Sequence, residues 1–218
     1  MKICVLFLTL LFSVTFHSAA QKFNSFLESS NMNFSYGLSY DFFAIPERGG
    51  GPSNVIDFDA TNSWGQIFGF EYNYRAKGKK NEWGVGFLKQ VHKKVYNEEL
   101  LTPFAYIQID NVILRDIKNF HYIQWKRHFI EEKLLGTVGL YNLRYKDPYL
   151  TVFDNPDQTL VLIRETSINI DFGIFLGIEY YYDIRNFQVG LRSRLFYTQG
   201  YSESFESFEF TPVIRFKL

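Results

Sequence analysis

Residues 167–183 (SINIDFGIFLGIEYYYD) hold one alternation for seventeen positions. Ile168, Ile170, Phe172, Ile174, Leu176, Ile178, Tyr180 and Tyr182 form one set, all apolar or aromatic. Ser167, Asn169, Asp171, Gly173, Phe175, Gly177, Glu179, Tyr181 and Asp183 form the other, mostly small or polar. Side chains of a strand alternate between its faces, so the two sets lie on opposite sides. Strands in soluble proteins average about 5–6 residues. A tilted strand that crosses a bilayer needs about 9–11, apolar outward and polar inward. Tyr180 and Tyr182 close the apolar face where an interfacial aromatic belt would lie. The stretch is expected to be one stave of an outer-membrane barrel.

The chain opens with Lys2, an apolar run from Ile3 to Phe16, and Ser18-Ala19-Ala20 before Gln21. This is the pattern of a cleaved secretory signal peptide over 1–20. Its apolar run is short and no stop-transfer charges follow, which disfavours a membrane anchor. The sole cysteine, Cys4, falls inside the apolar run, so the mature chain has no thiol or disulfide chemistry. Removal of 1–20 takes away Lys2 and no acid, leaving 22 basic against 23 acidic side chains. That balance lacks the clustered basic excess of a nucleic-acid binder. No later segment has the ~18 consecutive apolar residues of a transmembrane helix. Hydropathy averages miss barrels because polar lumen residues dilute every strand.

Residues 21–32 form a polar periplasmic lead-in, and 33–218 form the barrel domain. Eight strands are expected, over about 33–44, 63–76, 82–95, 119–130, 134–146, 167–183, 186–198 and 206–218. The first carries Phe34, Tyr36, Leu38, Tyr40 and Phe42 outward, and Ser35, Gly37, Ser39 and Asp41 inward. In the second, Gln66 interrupts the outward set and Ile67 the inward one. In the third, Lys89 and Lys93 are blemishes on an outward set of Trp83, Val85, Phe87, Val91 and Val95. The fourth places Ile123, Trp125 and Phe129 outward. For the fifth, Leu135, Tyr141, Leu143 and Tyr145 are taken as outward, because Asn142 and Arg144 then enter the lumen. Ile184-Arg185 is read as a two-residue hairpin turn. Pro212 lacks a donor for a ladder paired on both sides, which predicts a local bulge in the last strand. Long connections (45–62, 96–118, 147–165, 199–205) alternate with short ones (77–81, 131–133, 184–185). Bacterial outer-membrane barrels place the short turns in the periplasm and the long loops outside. Segment 96–118 reads either as a loop with its own β-extension or as a shifted register. The fold class is all-β, an eight-stranded antiparallel up-and-down transmembrane barrel.

The run Tyr122-Ile123-Gln124-Trp125-Lys126-Arg127-His128-Phe129, a turn, and Gly139-Leu140-Tyr141-Asn142-Leu143 resemble the fourth and fifth strands of the PorT-like outer-membrane β-barrel family. The order of Phe172 to Tyr180, a short turn, a strand centred on Gly190, and a final Val213-Ile214-Arg215-Phe216-Lys217-Leu218 resembles the same family. The resemblance implies an outer-membrane location in a Gram-negative cell, and no shared catalytic residues. Some relatives are transport or secretion components.

The inward charges are the first candidates for a site: Asp41, Glu71, Arg75, Lys126, Asp171, Glu179, Arg192, Arg194, Glu209 and Arg215. A buried charge must be paired or wet. They are therefore expected to neutralise one another and fill the lumen, with a narrow gated conduit as the competing reading. Arg194 is expected near Glu209, Glu179 diagonal to Arg192, and Asp171 and Glu179 as counter-charges of Arg192 and Arg194. His92, His121 and His128 raise lipid-modifying catalysis, but no motif sets a serine beside them, and they lack metal-ligand spacing. The aromatics Tyr96, Tyr149, Phe153, Tyr201 and Phe205 read as belt and loop packing, and DNPD at 154–157 as a turn rather than a calcium loop. No catalytic, cofactor or metal residue is assigned. Expected partners are outer-membrane lipid, the barrel-assembly machinery during insertion, and a protein or glycan at the outer loops. The expected role is structural, scaffolding or surface interaction. Transport or secretion accessory is the alternative, with an outer-membrane lipid-modifying enzyme behind it. A soluble lipocalin-like barrel is disfavoured by the rich charged face and the continuous aromatic one.

Overall fold

A computed structural model of the chain describes residues 29–42, 64–101, 106–130, 133–146, 148–155, 158–165, 168–185, 187–199 and 204–218. The expected signal peptide, most of the expected lead-in, and the expected loop at 45–62 lie outside the described residues. The described strands are β1 (Ser30–Asp41), β2 (Trp64–Tyr74), β3 (Asn81–Leu101), β4 (Tyr106–His128), β5 (Leu134–Lys146), β6 (Pro148–Asn155), β7 (Gln158–Glu165), β8 (Asn169–Ile184), β9 (Phe187–Gln199) and β10 (Ser204–Lys217). Eight of them close into a barrel in the order β1-β10-β9-β8-β5-β4-β3-β2, while β6 and β7 pair as a separate two-stranded sheet. Every neighbouring pair in the barrel is antiparallel.

The register sets the tilt. Partners across the sheet run Ile170, Arg144, Asn119, Lys89, Phe68 and Tyr36. The same row continues in register through Pro212 and Leu191 and returns to β8 at Tyr180, ten residues from Ile170. With strands about 4.8 Å apart and a rise of about 3.3 Å per residue, that stagger over eight strands tilts them by about 40°. Each step from β8 through β5 and β4 towards β2 then descends about 3 Å, and Ile170 stands about 25 Å above Tyr180, the height of an outer-membrane barrel's apolar band. Ile170, Phe172, Ile174, Leu176, Ile178 and Tyr180, the outward set between those levels, are all exposed, while Phe175, Glu179 and Tyr181 are buried inside.

The facing of β5 is the reverse of the expectation. Leu135, Thr137, Gly139, Tyr141 and Leu143 point into the lumen and are buried, whereas Val138, Leu140 and Arg144 are exposed on the outside. The interior is itself partly apolar at this height: Tyr141 and Leu143 join a core with Ile67, Leu88, Phe120, Tyr122, Phe175 and Phe196. Ile67, which interrupted the inward set of β2, belongs to the same core. The long connection at 96–118 is largely strand. β3 and β4 stay paired from Asn81↔Arg127 to Leu101↔Tyr106, with one irregularity between Tyr96 and Glu98. Most of 147–165 is the β6–β7 hairpin, paired from Pro148↔Glu165 to Asn155↔Gln158. β1 begins three residues before its expected start, at Ser30, within the expected lead-in.

Two turn-level details also differ. Ile184 pairs with Phe187, one residue further along than the expected turn allows, and Arg185 takes a positive φ of 49°, as tight hairpins require. No bulge forms at Pro212. Ser35 pairs with Val213 and Leu38 with Phe210 in one unbroken register, and the pairing merely lapses opposite Pro212. Gly37 fits that lapse, since a Cβ there would stand 2.8 Å from the Phe210 carbonyl oxygen. The irregularity of β10 lies instead between Phe205 and Ser207.

Inward glycines make room for the interior aromatics. A Cβ on Gly139 would lie 2.3 Å from the Phe175 ring and 2.6 Å from the Ile123 carbonyl oxygen. Gly139→Ala should therefore destabilise the barrel by about 1–3 kcal/mol through overpacking. Outward Gly136→Ala should cost less, because its only contact is the Phe129 ring. Urea unfolding of the two variants refolded in lipid vesicles measures the difference.

Candidate functional site

Side chains fill the lumen in layers. A central ionic one joins β2, β4, β8, β9 and β10. Lys126 Nζ donates to Glu71 Oε2 at 2.8 Å and to Glu179 Oε2 at 2.9 Å. Arg192 Nη2 donates to Glu71 Oε2 at 2.7 Å, and its Nε to Glu179 Oε1 at 3.0 Å. Arg194 Nη2 donates to Glu71, to Glu179 Oε1 at 2.9 Å and to Gln124 Oε1 at 2.9 Å. Glu209 approaches Arg192 at 3.8 Å. Three carboxylates thus face three cations. Neutral donors complete the carboxylates: Tyr122 to Glu71 at 2.6 Å, Asn33 to Glu71 at 3.0 Å and Tyr181 to Glu179 at 2.8 Å. Glu71, Lys126, Glu179 and Glu209 are 0% exposed, and Arg192 and Arg194 are 1% exposed, so this layer closes the lumen.

Above it lies the aromatic layer. Phe196 stacks on Phe120, Phe175 and Tyr141 at ring separations of 4.9, 5.3 and 5.5 Å. The Arg194 guanidinium sits over Phe175 at 4.9 Å and Tyr122 at 5.2 Å, tying the two layers together. Towards the short turns, Arg215 bonds Glu82 and covers the Tyr181 ring at 4.8 Å, while His128 Nε2 lies 3.0 Å from Glu82.

The charges expected in the lumen divide accordingly. Glu71, Lys126, Glu179, Arg192 and Arg194 come together, Glu209 adjoins them, and Arg215 joins Glu82 in the layer below. Arg75 is not in the cluster but beside His128, at 3.5 Å. Asp171 is not a counter-charge of the arginines; it accepts from the Tyr145 hydroxyl at 2.9 Å near the opposite end. Glu179 stands directly opposite Arg192 rather than diagonal to it, because moving the turn by one residue shifts partners by two. Arg194 and Glu209 are registered partners, as expected.

The outer end of the lumen holds a cluster that sequence reasoning did not assemble. Ser39 Oγ lies 3.0 Å from His92 Nε2, and His92 Nδ1 lies 3.9 Å from Asp41 Oδ2. Ligand atoms of Asp41, His92 and Asp116 lie within 4.8 Å of one another. Lys118 Nζ donates to Asp41 Oδ1 at 3.0 Å and to Glu206 Oε1 at 2.5 Å. Glu206 reaches this layer because the irregularity beside Phe205 turns both it and Ser207 inward. The Ser39–His92 pair has the spacing of a nucleophile and its base. However, 3.9 Å is too long for Asp41 to orient the imidazole by a hydrogen bond. Ser39 is also 0% exposed. The Lys118 ammonium already serves Asp41 as its cation, which works against a metal there. His121 faces outward against the Phe87 ring at 5.2 Å, and His128 lies at the other end, so the three histidines do not converge.

No protein-family model matches the chain, and no curated protein matches it. Among solved structures, Neisserial surface protein A (NspA) superposes with a TM-score of 0.43 and 9% identity, over 87% of this chain and 96% of that one. The N-terminal β-barrel domain of Pseudomonas aeruginosa OprF superposes with a TM-score of 0.39 and 13% identity, over 86% of this chain and 96% of that one.

Glu71 binds three cations at once. Glu71→Gln should cost about 3–5 kcal/mol of folding free energy, because it leaves buried positive charge uncompensated. Glu209→Gln should cost less, since Glu209 meets the cluster only at 3.8 Å. Equilibrium unfolding in lipid vesicles ranks the two.

Proposed function

We propose that the chain is an outer-membrane β-barrel of a Gram-negative bacterium, with a closed lumen and a non-catalytic structural, scaffolding or surface-interaction role. One observation carries this reading. Between the levels of Ile170 and Tyr180 the outside of β8 is apolar, while the ionic groups of the lumen are buried and paired with one another. Water would favour the reverse arrangement, and a bilayer requires this one, with every backbone group satisfied by closure. The short turns after β2, β4 and β8 then face the periplasm. The β3–β4 extension and the β6–β7 hairpin project outward, where they offer a protein or glycan a surface. The PorT-like resemblance supports the same location through residues of β4, β5, β8, β9 and β10.

A transport or secretion-accessory role is the second reading. It draws on the outer hairpins as a docking surface rather than on the lumen, which the Glu71–Arg194 layer blocks. Catalysis is disfavoured by the burial of Ser39.

The purified chain should migrate faster unheated than boiled and should fractionate with outer membranes; recovery as a soluble periplasmic protein would sink this reading. In planar bilayers it should give no conductance steps. Excision of 149–164, which removes most of the β6–β7 sheet, should leave the heat-modifiable barrel intact while abolishing any partner captured by whole cells.

A further inference from the structure

Lys89 and Lys93 interrupt the outward apolar set of β3, and the facing of β5 puts Arg144 and Lys146 outside rather than in the lumen. These four residues belong to one feature. Lys89 is opposite Asn119 and Asn119 opposite Arg144; Lys93 is opposite Arg115, and Lys146 opposite Ile117. Lys89, Lys93, Arg115, Arg144 and Lys146 are all exposed on the outer face of three adjacent strands. Strand spacing and rise confine them to a patch about 10 Å wide and 13 Å tall. Among the described residues, Lys89, Lys93, Arg115 and Arg144 have no carboxylate partner.

Their height is the second observation. By the stagger of the barrel, Arg144 lies about 3 Å below Ile170, and Lys93, Arg115 and Lys146 lie within about 5 Å of that level. Lys89 is about 9 Å lower, a depth from which its long stem can extend the ammonium upward. Ile170 lies near the outer end of the apolar set of β8, which Ile168 closes, so the cations stand at the upper margin of the apolar band, at the level of lipid headgroups. A surface depression of about 430 Å³ opens there, lined by Arg115, Ile117, Asn119, His121, Arg144 and Lys146. Directly below, Val85, Ile123 and Leu140 form one registered row of exposed apolar side chains.

We propose that the outer face of β3–β5 is a binding site for the phosphorylated headgroup of an outer-leaflet lipid, with Arg115 and Arg144 as its main phosphate ligands. The inference rests on the membrane reading above. Two guanidiniums offer the paired donors that phosphate oxygens accept. Asn119 and His121 supply further donors in the depression. Acyl chains attached to that headgroup would run down the Val85–Ile123–Leu140 row, which a free anion would not use. Lys93 and Lys146 add charge at the margin.

The test uses the full mature chain refolded in neutral micelles, titrated with phosphorylated lipid A, with the same lipid enzymatically dephosphorylated, and with inorganic phosphate. Binding is read by native mass spectrometry. The phosphorylated lipid should bind at least tenfold more tightly than the dephosphorylated one, and millimolar inorganic phosphate should not displace it. A basic residue near an anionic headgroup is worth about fivefold, so Arg115→Gln with Arg144→Gln should weaken binding about thirtyfold. Lys93→Gln alone should weaken it about fivefold, which keeps the test sound if the double variant folds poorly. Lys79→Gln with Lys80→Gln, at the opposite rim, should change nothing. Equal affinity for the two lipids, full displacement by inorganic phosphate, or undiminished binding by both the double and the Lys93 variants would overturn the proposal. A chain that inserts in membranes without phosphate preference would defeat only this site; a chain that never inserts would defeat the membrane reading itself.

Discussion

Backbone closure is the constraint on which the rest of this structure depends. Between the levels of Ile170 and Tyr180 a bilayer offers no water, so each N–H and C=O must find a partner strand. Closing eight strands with a ten-residue stagger meets that need and fixes the tilt, the radius and the width of the lumen together. A lumen that narrow has to be filled by side chains. Its filling follows from the strand alternation: small residues such as Gly139 and Gly86 stand where Phe175 and Tyr122 cross.

The ionic layer is the costly part of that filling. Charges taken out of water are expensive unless attraction and hydrogen bonding compensate. Here two carboxylates at the centre, Glu71 and Glu179, are each shared among Lys126, Arg192 and Arg194, and tyrosines and an asparagine occupy their remaining lone pairs. Such a cluster, with Asn33 of β1, ties six of the eight strands to one another. It specifies register, because a one-residue slip would send each of these charges to the lipid side.

The parts of the fold that were legible in the sequence are those the lipid constrains. β8 shows its facing plainly, because its outward set is apolar from Ile168 to Tyr182 and its inward set is small or charged. β5 misleads for a physical reason. Its inward Leu135, Tyr141 and Leu143 enter the apolar interior layer, while Asn142 and Arg144 face out, so hydrophobicity alone points the wrong way. The β3–β4 extension lies beyond the band, where no lipid enforces alternation, and its pattern fades. Asp41, Glu71 and Arg194 could be placed in the lumen from the sequence. The outer-rim cluster could not, because Asp116 and Lys118 fall in 96–118, which reads as a connection, and Glu206 is turned inward by an irregularity. The blemishes at Lys89 and Lys93 were visible from the start and gain meaning only beside Arg115 and Arg144.

The central claim is that β8 crosses a bilayer with its even-numbered residues in lipid. Cys4 is the sole cysteine, so Leu176→Cys in a chain beginning at Gln21 introduces a unique label site. A bimane attached there, in a barrel refolded into vesicles, should be quenched most strongly by lipids brominated at mid-chain and hardly at all by aqueous iodide. Strong iodide quenching with no response to brominated lipid would contradict the account.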